Sequence, residues 1–88
     1  MEPLIINPNE ILHVIEEKFG IKFQDSILDF QYEPASHLFG IRFFRAKNVI
    51  SDSIDEEGQI ILNRDEKSEK IASLEILDLI YFLSEISV

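Results

Sequence analysis

The stretch ILDFQYEPASHLFGIRFF, residues 27–44, switches the apolar period to two and so decides the fold class. Leu28, Phe30 and Tyr32 alternate with Asp29, Gln31 and Glu33, as they do on a strand with one wet face. Pro34 then fixes its own backbone angle and withdraws a ladder donor, so EPASH, residues 33–37, reads as the turn of a hairpin. In the returning strand Phe39, Ile41 and Phe43 share one face, while Leu38, Gly40, Arg42 and Phe44 share the other. That strand is apolar on more than one side, and part of its second face needs cover.

On the amino-terminal side, NPNEILHVIEEKFG, residues 7–20, carries the marks of one helix. Asn7 stands at the N-cap, Pro8 at the first helical position, Glu10 at the capping-box position and Gly20 past the end. Ile11, Leu12, Val14, Ile15 and Phe19 form its apolar stripe. Residues 4–6, LII, are too few to classify and leave an added edge strand open.

On the carboxyl side, KNVISDSIDEEG, residues 47–58, suits a connection or a short strand ending at the Gly58 turn. QIILN, residues 59–63, and IASLEIL, residues 71–77, read as two further strands closed by the charged turn RDEKSEK. LIYFL in the tail fits either a buried strand or a helix core by periodicity. Asp78 as N-cap and the stripe Leu79, Phe82, Leu83 and Ile86 favour the helix.

Together these elements predict an α+β fold: an antiparallel sheet of about four strands in a meander of hairpins, packed by an N-terminal helix, with a C-terminal helix. The expected organisation is one domain over residues 1–88, divided into helix and lead-in 1–26, sheet 27–77 and terminal helix 78–88. A chain of 88 residues is too short for two cores and buries only about 60 to 65% of its unfolded surface. Shared apolar surface between subunits is the natural supplement. Leu38 and Phe44 on the second strand face, and Leu79, Ile80, Tyr81, Phe82 and Leu83 in the tail, are the expected interface residues of a homo-oligomer, a dimer first.

Seventeen acidic against eight basic side chains leave a formal charge of −9, which opposes phosphate backbones and anionic lipid. No nucleic-acid or membrane partner is expected. Arg42, Arg45 and Lys47 form a local basic group without the interleaved aromatics that single-strand binders use. Cysteine is absent, which removes disulfides, thiolate metal sites and thiol nucleophiles. With no basic apolar leader and no run of about 20 apolar residues, the expected address is the cytoplasm.

The acidic stretch SDSIDEEG fails as an EF-hand loop: with Gly58 at the sixth position the loop would begin at Ser53 and end on Arg64, where a bidentate carboxylate is required. Asp52, Asp55, Glu56 and Glu57, or Asp65, Glu66 and Glu69, are the remaining cation candidates, weighed against ordinary hydration of acidic turns. His13 and His37 fall on different elements and lack ligand spacing. Three isolated glycines build no phosphate loop, and no serine carries nucleophile-elbow flanks. Neither a cofactor nor a catalytic residue is expected. Glu75 alone stands out, because a carboxylate between Leu74 and Ile76 on a covered sheet needs a cation such as Arg42.

YEPASHLFGIRF, residues 32–43, and IILNRDEKSEKIASLEIL, residues 60–77, resemble a small prokaryotic family catalogued as a domain of unknown function, number 2283. The resemblance spans roughly residues 28–78, with LEIL, residues 74–77, matching the end of the family's second half. Ser68 and Glu69 stand in the turn where glycine is usual, the turn is one residue longer, and Ser73 replaces another glycine. The resemblance implies an antiparallel sheet and no established activity. The expected function is that of a noncatalytic acidic interaction or regulatory module, including an antitoxin-like partner that covers a basic protein. The alternatives are a divalent-cation module on the acidic turns, or a small enzyme built at a subunit junction around Glu75 and Arg42.

Overall fold

The structure, a computed structural model, describes residues 6–86. Helix α1, Pro8–Phe19, begins where the side-chain oxygen of Asn7 accepts the backbone N–H groups of Asn9 and Glu10, two donors that the first turn would otherwise leave unpaired. It ends at Gly20, whose φ of 68° lets its N–H reach the Glu16 carbonyl. Ile11, Leu12 and Ile15 are buried beneath it. The chain then runs on with Phe23 stacked against Phe43, ring centres 5.4 Å apart.

Five strands follow: β1 Asp29–Glu33, β2 Leu38–Arg42, β3 Val49–Ser53, β4 Ile60–Asp65 and β5 Ile71–Ile76. Helix α2, Leu79–Ile86, closes the described chain, with the Asp78 carboxylate accepting the Tyr81 N–H at its first turn. The possible edge strand at residues 4–6 lies almost entirely outside the described residues.

The α+β class and both helices agree with the sequence reading, while the strand count rises from about four to five. The added strand is β3, every residue of which is exposed, so it has no buried face to leave a period in the sequence. Nor is the sheet a plain meander. Its order is β1-β2-β5-β4-β3, antiparallel throughout, so β2 lies beside β5 rather than β3.

The registers fix which side chains share a face. Phe30 stands opposite Ile41, Ile41 opposite Leu74 and Leu74 opposite Leu62, a line of apolar groups across four strands. A second line runs through Tyr32, Phe39, Ile76 and Ile60. Against these pack Ile11, Leu12 and Ile15 from α1 and Leu79 and Phe82 from α2. Both helices therefore cover the same sheet face. Phe39, Leu62, Leu74, Ile76 and Leu79 are wholly buried there.

Each turn is closed by side chains as much as by backbone. Asp65 accepts both the N–H and the hydroxyl of Ser68, while the Glu69 N–H reaches the Asp65 carbonyl. Glu69 itself takes φ 63°, a left-handed conformation that favours glycine.

Candidate functional site

Alternation leaves the second sheet face to Asp29, Gln31 and Glu33 of β1, Gly40 and Arg42 of β2, Ser73 and Glu75 of β5, Ile61 and Asn63 of β4, and Ser51 of β3. No helix among the described residues lies over it. The strand β2 was expected to need cover on this side. It has none, and Gly40 leaves the centre of the face without a side chain. There the surface sinks into a hollow of about 540 Å3, walled by β1 residues on one side and by Ser73 and Glu75 on the other.

Two polar systems organise the face. At one end Arg42 forks onto Asp29, its Nε donating to Oδ1 at 3.1 Å and a second nitrogen donating to the other carboxylate oxygen. This hydrogen bonding, helped by the guanidinium charge, holds the Asp29 carboxyl below its usual range and keeps Arg42 more firmly protonated. Beside it, Asn63 is the buried polar residue of the described chain. Its amide nitrogen donates to Ser73 Oγ and to Glu75 Oε1, both at 2.9 Å, and its oxygen accepts from Ser51 Oγ. Three strands are thereby tied across their polar side.

Glu75 and Arg42, paired in expectation, line the same hollow but engage different partners. The register explains why. Arg42 stands directly opposite Asp29 on β1 and Ser73 on β5, whereas Glu75 stands opposite Gly40, two residues further along. Glu75 meets only a neutral amide, and among the described residues it makes no ion pair.

The acidic turns are occupied with their own backbone. Asp55 accepts the N–H groups of Gln59 at 3.1 Å and Ile60 at 2.9 Å, closing the Gly58 turn. Glu57 accepts the hydroxyl of Tyr81 at 3.2 Å, and this bond is the main reason the phenol is pushed up to about 12. Asp52 is exposed on β3, and Glu56 is exposed in the turn. Ser68 holds the Asp65 carboxyl below its usual range through hydroxyl and backbone bonds. No group of three or more metal-ligating side chains converges among the described residues. His13 lies 3.3 Å from Glu17, and His37 lies 3.3 Å from Asp78, on separate parts of the surface.

Of the expected interface residues, Leu79 and Phe82 are taken up by the subunit's own core. Ile80 and Tyr81 point outward at 41% and 40% exposure, and Leu38, Phe44 and Leu83 are half-buried. The sequence reading passed over Leu28 and Phe30 as interface residues. Both are about half exposed, at the edge of the sheet. Asn63 also escaped it, although a lone amide opposite Ser73 and diagonal to Glu75 becomes conspicuous once the β4–β5 register is known.

Compared with protein-family models, curated proteins and solved structures, the chain matches none. No helix among the described residues is long and apolar enough to cross a membrane.

Proposed function

We propose that this chain is a noncatalytic acidic protein-interaction module that self-associates, as a dimer first, and works through protein contacts. One observation carries the self-association: Leu28 and Phe30, 53% and 49% exposed, stand together on one side of an edge strand whose outer backbone has no neighbour among the described residues. A second copy pairing along β1 gives that backbone a ladder and covers both side chains at once. The −9 charge keeps the remaining surface apart, so the contact stays confined to this edge.

Sedimentation velocity at micromolar concentration tests this reading. The wild-type chain is expected to sediment as a dimer and Phe30→Asp as a folded monomer. A wild-type chain that stays strictly monomeric up to about 100 µM, well above the Kd of a specific contact of ordinary strength, removes the self-association.

The enzyme reading has a specific point in its favour, since Glu75 and Arg42 share one hollow. Against it, each is already hydrogen-bonded to a different partner, and neither orients the other as an acid, base or nucleophile. The interaction reading uses the hollow more simply.

A further inference from the structure

We propose that the hollow above Gly40 is a docking site for a basic protein segment, seating one arginine or lysine side chain on the Glu75 carboxylate. This deepens the interaction-module reading and rests on it. The first support is the glycine. A mid-strand glycine weakens a sheet and commonly marks a place where another body comes close. Gly40 does not have a positive φ, and a Cβ built on it would meet only the Leu74 carbonyl oxygen at 3.8 Å, an ordinary contact. Nothing in the subunit's own packing requires the side chain to be missing. What its absence creates is the opening.

The second support is charge. Three carboxylates, Asp29, Glu33 and Glu75, and one guanidinium, Arg42, line the hollow. Arg42 is taken by Asp29, which leaves two uncompensated negative charges, and Glu75 is the half-buried one. A partly desolvated carboxylate held by a single neutral amide gains most from a cation. Leu38 borders the same space and suits the methylene stem of a long basic side chain. A second copy of the chain is a poorer occupant, because each copy brings the same −9 charge to the contact.

The test is an NMR titration of the full-length 15N-labelled chain with a capped arginine-bearing pentapeptide, alongside the same peptide with citrulline in place of arginine. The arginine peptide is expected to shift amides of residues 38–42 and 73–76, and the citrulline peptide to leave them still. Glu75→Gln keeps an acceptor for Asn63, so it folds, and it is expected to weaken binding by a factor of ten or more. Gly40→Leu fills the hollow from its floor with charge unchanged and is expected to abolish binding. Shifts confined to the acidic turns around residues 55–57 and 65–69, or equal affinity in Glu75→Gln, overturn the proposal. So does broadening of the face amides with protein concentration alone that Glu75→Gln relieves, since the occupant is then a second copy. Sedimentation separates the two ideas. Dimers without peptide binding discard the hollow and keep the module, whereas peptide binding by a monomer keeps the hollow and discards self-association.

Discussion

Replacing glycine by alanine at two positions should move the stability of this protein in opposite directions. At Gly40 the backbone is ordinary strand and the new methyl group meets one carbonyl oxygen at 3.8 Å, so the folded state admits it without movement. Glycine in a strand interior costs roughly 0.5–1 kcal/mol relative to alanine through the freedom it has when unfolded. Gly40→Ala therefore gains about that much. At Gly20 there is equally free space, with nothing within 4 Å of a built Cβ, but φ is 68°. There the methyl group opposes the following carbonyl, and Gly20→Ala loses about 1–2 kcal/mol. For a domain of this size each kcal/mol moves Tm by roughly 4–8 °C. Thermal and urea unfolding followed by circular dichroism should show Gly40→Ala higher by about 2–8 °C and Gly20→Ala lower by about 4–16 °C. A fall in Tm for Gly40→Ala refutes the reasoning, because it means the methyl group meets something that the open face does not contain.

Three other outcomes follow from the same geometry. Leu74→Ala removes a wholly buried side chain at the middle of the sheet and should cost about 3–5 kcal/mol in urea unfolding. Asn63→Asp places a second carboxylate about 3 Å from Glu75; the variant should be clearly less stable than wild type at pH 7 and recover relative to it on acidification, as one of the two carboxyls takes up a proton. The wild-type stability profile should show two shoulders with pH. Asp29 and Asp65 have lowered folded values, so the stability they add is complete above the ordinary carboxylate range and is lost as pH falls through it. Tyr81 is raised from 10 to about 12, so its contribution is intact below pH 10 and disappears as pH climbs toward 12; Tyr81→Phe should flatten that alkaline shoulder in a melting-temperature series.

How much of this was legible depended on whether a residue's neighbours lay nearby in sequence. The helix over residues 8–19 was readable to its ends, because Asn7, Pro8 and Gly20 act locally and each does in the structure what its type dictates. The hairpin around Pro34 and the helix after Asp78 were readable for the same reason. Strand β3 was legible only as an alternative to a plain connection, since Val49 and Ile50 are exposed and the following Ser-Asp-Ser has no apolar side. Glu75 could be singled out as a carboxylate in need of a partner, yet its partner could not be named. Arg42 and Asn63 stand equally diagonal to Glu75 across β2 and β4, and the choice between them is made by β1, which sets Asp29 directly opposite Arg42 and occupies it.

The strand order also sets a timetable. β1 with β2, and β3 through β5, are each joined by short turns and meet on local contacts, but the seam where Phe39 faces Ile76 and Arg42 faces Ser73 closes only after the whole intervening chain has been threaded back. Such a long-range closure incurs its entropy before it gains its contacts, so it governs the folding rate. Until it closes, β2 and β5 each present a naked border, and a nascent chain at high concentration can lend its first hairpin to a neighbour as readily as to itself.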